Sequence, residues 1–143
     1  MIYQEIQVPK YRWTIFAFYD TTASNIDAVM GALYDLDCDY KTATRAYENL
    51  EMGKKNTGLC YSNYRCQASV LVISKTTNAS EFISTWHHEL CHLQAHISDY
   101  YHLDPMGEDA AYLTGEVAQI MFPKIKHLFC DCCRKEKNYE KES

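Results

Sequence analysis

His88, Glu89 and His92 carry the densest chemistry in the chain: two imidazoles four positions apart, with a carboxylate between them. On a helix, residues four apart rise from one face a turn apart, so both rings can reach one metal ion. Glu89 falls about 60° around such a helix from His92, near enough to serve a metal-bound water without being a ligand. Zinc held by three protein groups keeps one position open and lowers the pKa of its water to about 7. A neighbouring carboxylate then takes the proton as water attacks a carbonyl, and hands a proton to the leaving group. The expected cofactor is one Zn2+ ion, with His88 and His92 as ligands and Glu89 as the catalytic base. Imidazole and carboxylate donors suit zinc well.

Several neighbours extend or compete with this set. His96 continues the same face, but a straight helix carries it about 6 Å beyond His92, too far to share an ion with His88. It is read as a cleft residue behind the ligands or as a donor to a developing oxyanion, a role for which Tyr112 is the other candidate. His87 points elsewhere, to packing or solvent. Cys91, between the two ligand histidines, is expected to pack into the core. Asp99, Asp104 and Asp109 can each orient a ligand imidazole, and the sequence does not choose among them. His127, Cys130, Cys132 and Cys133 form a compact group, but structural zinc sites use two well-spaced ligand pairs and this one is crowded, so a second ion is not expected.

The elements that must position these residues are legible in outline. Tyr11 to Tyr19 is aromatic and β-branched and reads as a strand. Ile26, Val29, Met30, Leu33 and Leu36 follow possible caps at helical spacing, and a second helix spans about Lys41 to Met52, stopping near Gly53. Thr57 to Ser62 and Cys66 to Ser74 are strand-like, with Asn63, Tyr64 and Arg65 as the turn between them. Asn78, three residues before Glu81, opens a helix through Trp86 and the histidines to about Tyr101. Asp104 and Pro105 are expected to start another helix, ending at or before Pro123. A shorter helical piece follows. Residues 134–143, RKEKNYEKES, read as a charged, solvated tail after a single domain over 1–133.

The chain resembles the zincin metallopeptidases, and among them small gluzincin-like zinc peptidases often encoded by phages or mobile elements. The resemblance rests on His88-Glu89-Leu90-Cys91-His92 and on Gly107-Glu108-Asp109-Ala110-Ala111-Tyr112-Leu113-Thr114-Gly115-Glu116. It implies an α+β, minimal zincin-like domain: a small sheet with N-terminal helices, a metal-binding helix, and an antiparallel helix supplying a glutamate as third ligand. It also implies that the strand before the metal helix, here Ala68, Ser69, Val70, Leu71, Val72, Ile73 and Ser74, pairs with an extended substrate. Two glutamates compete for the third position. Glu108 fits the family-like Glu-x-x-Ala-Tyr-Leu pattern. Glu116 fits a chain reversal near residues 102–104, because the midpoint of 90 and 116 is 103 and that of 90 and 108 is 99. Gly115 would also allow close helix approach, and Glu116 is favoured.

The bulk properties set limits. A chain of 143 residues, 47% of them hydrophobic, can bury one core without staples. A net charge of −5 argues against nucleic acid as the main partner, since phosphate binding needs a basic face. No apolar run approaches the roughly 20 residues needed to cross a bilayer, and the first residues lack the features of a signal peptide. The seven cysteines are not spaced as a disulfide framework. A cytoplasmic location follows, that of a host cell if the gene is phage-borne. The expected function is zinc-dependent hydrolysis of a protein or peptide. The alternative is an inactive module in which zinc only ties helices together.

Overall fold

The structure, a computed structural model, describes residues 1–135. It is α+β, with one four-stranded mixed sheet. The strands are β1 (Ile2–Gln7), β2 (Thr14–Thr21), β3 (Gly58–Asn63) and β4 (Ala68–Ser74), and the helices are α1 (Ile26–Asp35), α2 (Tyr40–Glu51), α3 (Ala79–Tyr101) and α4 (Glu108–Ile125). In space the strands run β1-β2-β4-β3. β2 and β4 pair in parallel, and β1 and β3 flank them antiparallel.

Strand alternation divides the core in two. Ile15, Ala17 and Tyr19 of β2, with Leu71 and Ile73 of β4, pack with Phe82, Leu90, Leu93 and Ile97 of α3 and with Leu113, Val117 and Met121 of α4. Phe18, Val70 and Val72 point the other way and pack with α1 and α2 through Val29, Leu33, Ala43 and Leu50. Covered on both faces, β4 is buried at every residue, as an inner strand of a helix-covered sheet must be. Each fully buried Phe, Leu or Ile contributes about 1.5–3 kcal/mol, so α3 is held mainly by this one stripe.

The expected strands and helices appear with shifted bounds, and four differences are instructive. β1 was not anticipated; only Ile6 of its six residues is buried, so its apolar alternation is faint. Tyr11 to Trp13 lie outside β2. Asp104 and Pro105 do not begin α4: Asp104 closes a turn, accepting from the Met106 N–H through Oδ1 and from the Gly107 N–H through its carbonyl, and α4 starts after Gly107. Nor does α4 stop at Pro123; it runs on to Ile125, because Met121 and Ile125 are both fully buried and that packing outweighs one lost hydrogen bond.

α3 is closed at both ends. The Asn78 side chain accepts from the Glu81 N–H, and Asp131, from beyond α4, accepts from the Ala79 N–H at 2.8 Å. At the other end His102 adopts the left-handed conformation, φ 58°, that terminates helices. Of the expected tail, Arg134 and Lys135 are described, Arg134 tied to Thr76 and to the Leu128 carbonyl; residues 136–143 lie outside the described residues. No helix among the described residues is long and apolar enough to cross a membrane.

Candidate functional site

The sheet has two edge strands, β1 and β3, and α3 packs along β3. Gly58, Cys60 and Ser62 face α3, whereas Leu59 and Tyr61 pack toward α1 and α2. On α3 the residues that meet this strand are Glu89 and His96, seven apart and therefore on one stripe. His88 and His92 stand beside that stripe, exposed to solvent. Their Nε2 atoms lie 3.2 Å apart. Two nitrogens each about 2.0–2.1 Å from one tetrahedral ion stand roughly 3.3 Å apart, so the imidazole pair is already spaced to hold zinc.

Glu89 is the unusual member. It is only 5% exposed, and among the described residues its carboxylate receives no hydrogen bond. Burial pushes its pKa up, against the lowering influence of His88 and His92. The room for this side chain comes from Gly58, where a Cβ would sit 2.6 Å from Glu89 Cγ and 2.8 Å from Oε1. Glu89 still borders the open cleft, but a carboxylate largely withdrawn from water is costly, and a strand cut back to glycine to admit one is a sign of use.

His96 is held by a chain of hydrogen bonds through the sheet. The Trp13 indole N–H donates to Ser69 Oγ at 2.9 Å, Ser69 and Ser62 hydroxyls lie 2.6 Å apart, and Ser62 Oγ lies 2.6 Å from His96 Nδ1. An indole N–H can only donate. In the one direction that lets each hydroxyl both accept and donate, Ser69 donates to Ser62 and Ser62 to Nδ1. The neutral ring then carries its hydrogen on Nε2. Burial, followed by His92, depresses the His96 pKa, and Asp99 opposes this, so the neutral ring is favoured. Cys60 lies beneath, its thiol 3.9 Å from His96 Nδ1, and its pKa is raised strongly by burial and then by the charge of Glu89.

Other expected participants stand apart. Glu116 and Glu108 are exposed on α4, and among the described residues neither joins His88 and His92 in a group of three His, Cys, Asp or Glu side chains. The expectation of a third ligand from α4 is therefore corrected. The cause is the side on which α4 returns. It packs toward β1, with Gln4 Nε2 donating to the Ile120 carbonyl and Trp86 Nε1 to Met121 Sδ, while the histidines face the β3 side of α3. A Cβ added at Gly115 would meet nothing within 4 Å, so the glycine is not there to let another helix approach. Tyr112 is 66% exposed on the same helix and does not border the cleft. Cys91 is exposed rather than core, its thiol 3.8 Å from His87 Nδ1.

The three aspartates orient no imidazole. Asp99 accepts from Tyr64 Oη, Asp104 closes its turn, and Asp109 lies 3.9 Å from Lys10. Ala68 to Ser74 cannot pair with a substrate, because β4 is hydrogen-bonded on both edges, to β2 and to β3. The edge strands are β1 and β3, and β3 is the one beside the histidines.

Two cavities of about 620 Å3 each line the free edge of β3. One is bordered by His88, Glu89, Thr57 and Gly58, the other by His96, Ser62 and Tyr64, and Arg45 of α2 borders both. Sequence reasoning missed Gly58, Ser62 and Arg45, and placed Ser69 on a substrate strand rather than in the hydrogen bonds that reach His96. A glycine opening a strand ahead of the histidine helix was the one signal that could have found the first; the serines gave none.

Compared with known proteins, the chain matches no family model, no curated protein and no solved structure.

Proposed function

We propose that the chain is a metal-dependent hydrolase that cleaves a peptide bond in an extended substrate lying along β3, with Glu89 as general base. The observation that carries this reading is the buried Glu89 carboxylate beside two converging imidazoles, in space that Gly58 leaves open. A purely structural metal site has no use for such a group. His88 and His92 are the residues that would hold zinc, and their spacing fits it. When bound there, zinc would supply Lewis-acid polarisation of the scissile carbonyl and a nucleophile near neutral pH.

The chain's own residues account for the remaining steps. The edge of β3 binds the substrate backbone by strand addition. Glu89, its proton affinity raised by burial, takes a proton at its carboxylate and returns it to the leaving nitrogen. His96, with Nδ1 occupied by Ser62, offers Nε2–H as a donor to negative charge developing on the carbonyl oxygen. Among the described residues two side chains rather than three would hold the ion, which favours weak binding.

The deciding experiment measures zinc content and peptide turnover side by side. Wild type is expected to bind one zinc per chain, His88→Ala to lose it, and Glu89→Gln to keep it while turnover falls at least a hundred-fold, consistent with general-base contributions of about 10²–10⁴. Zinc retained in His88→Ala, or full turnover in Glu89→Gln, would overturn the assignment.

A further inference from the structure

The walls of the cleft differ in charge. On the α3 side stand Glu81, Glu89 and the histidines; on the opposite side Lys41 and Arg45 border one cavity, and Arg45 and Lys54 the other. A chain with a net charge of −5 thus lines one flank of its cleft with cations. Among the described residues Arg45 and Lys54 form no ion pair, and Lys41 acts on Asp39 by its charge without a contact pair. The ion pair among the described residues is Lys10 with Asp109, and the neighbouring Asp39 is spent on the Thr42 N–H at the start of α2.

The geometry of that flank matches an extended chain. Lys41, Thr42 and Arg45 accompany Leu59 to Tyr64, whereas Arg45, Asn49 and Lys54 accompany Asn56 to Gly58, so α2 runs alongside β3 in the opposite sense. Lys41 and Arg45 are one helical turn apart, about 6 Å along the axis. Alternate residues of a strand are about 6.6–6.8 Å apart and point to the same side. A peptide added to the edge of β3 therefore presents every second side chain to α2, at nearly the spacing of its cations. The side chains between point to the histidine flank.

We propose that the occupant of this cleft is an acidic peptide segment with Asp or Glu at alternate positions, paired with the free edge of β3 and neutralised by Lys41 and Arg45. Cleavage of that segment rests on the hydrolase reading above; its binding does not. Arg45, common to both cavities, is the position that couples substrate charge to the Glu89 end of the cleft.

The test separates the two ideas. Fluorescein-labelled ten-residue peptides with Glu, Gln or Lys at alternate positions are titrated by anisotropy into the Glu89→Gln protein at low salt. The Glu peptide is expected to bind at least ten-fold more tightly than the Gln peptide. Lys41→Glu combined with Arg45→Glu should reverse the order in favour of the Lys peptide. Both residues are exposed, and circular dichroism verifies that the double variant is folded; Arg45→Gln, a milder change, should abolish most of the Glu preference. Equal affinity for Glu and Gln peptides, no binding of any peptide, or a preference unmoved by these variants overturns the proposal. Wild-type turnover of the same peptides is scored separately. Tight acidic binding without cleavage removes the hydrolase reading alone, and cleavage without charge preference removes the acidic occupant alone.

Discussion

Glu89 and Gly58 form a pair whose members explain each other. The carboxylate can be buried next to the two histidines only because the strand opposite has no side chain there. Gly58→Ala tests this without touching the reacting groups. Its Cβ meets the flexible Glu89 side chain rather than backbone, so Glu89 swings away at little cost. Stability is expected to change by less than about 1 kcal/mol, within the range of mild repacking, while turnover falls ten-fold or more. Unfolding in urea and a peptide assay measure the two quantities; loss of stability with turnover intact would mean that Gly58 serves packing alone. The Ser69 and Ser62 hydroxyls do comparable work for His96, fixing which nitrogen carries its hydrogen.

The helix that carries these residues depends on its first turn. Asn78→Ala removes the cap on the Glu81 N–H and is expected to cost about 1 kcal/mol, typical of such caps, read as a lower urea midpoint with unchanged slope. This cap was legible in the sequence because Asn stands three residues ahead of Glu81, and the span of α3 followed from it. β4 was equally plain as an apolar run, yet its place in the sheet was not. A run buried on both faces reads the same whether its edges are free or paired, so β4 was expected to pair with a substrate although both its edges are taken. The third ligand failed for a related reason. Locating the turn at residues 102–104 gives the distance at which α4 returns, but not the side of α3 on which it packs. That side is set by Leu113, Val117 and Met121 meeting the sheet near β1, a long-range choice with no local signature. The pair His88 and His92, being local, was readable; Arg45, brought in from a helix far earlier in the chain, was not.

At the scale of the molecule, the sheet separates two helical layers, and the cleft opens where its edge strand is left uncovered between α2 and α3. The C-terminal segment completes the design from the far side. Arg134 donates to Thr76 through both terminal nitrogens and to the Leu128 carbonyl, just ahead of the turn that opens α3. Hydrogen bonds from a charged donor contribute about 1.5–3 kcal/mol each where they are desolvated. Arg134 is half-buried, and Arg134→Ala is expected to cost about 1–3 kcal/mol in total, a loss that urea titration resolves; an unchanged midpoint would place Arg134 in a frayed tail. Asp131 meanwhile holds the Ala79 N–H. A ribosome makes a chain from its N-terminal side, so the first residue of the histidine helix is synthesised some fifty residues before the carboxylate that binds its N–H. During that interval the nascent helix lacks part of its capping, and its anchoring is finished only when the segment from 131 to 134 emerges.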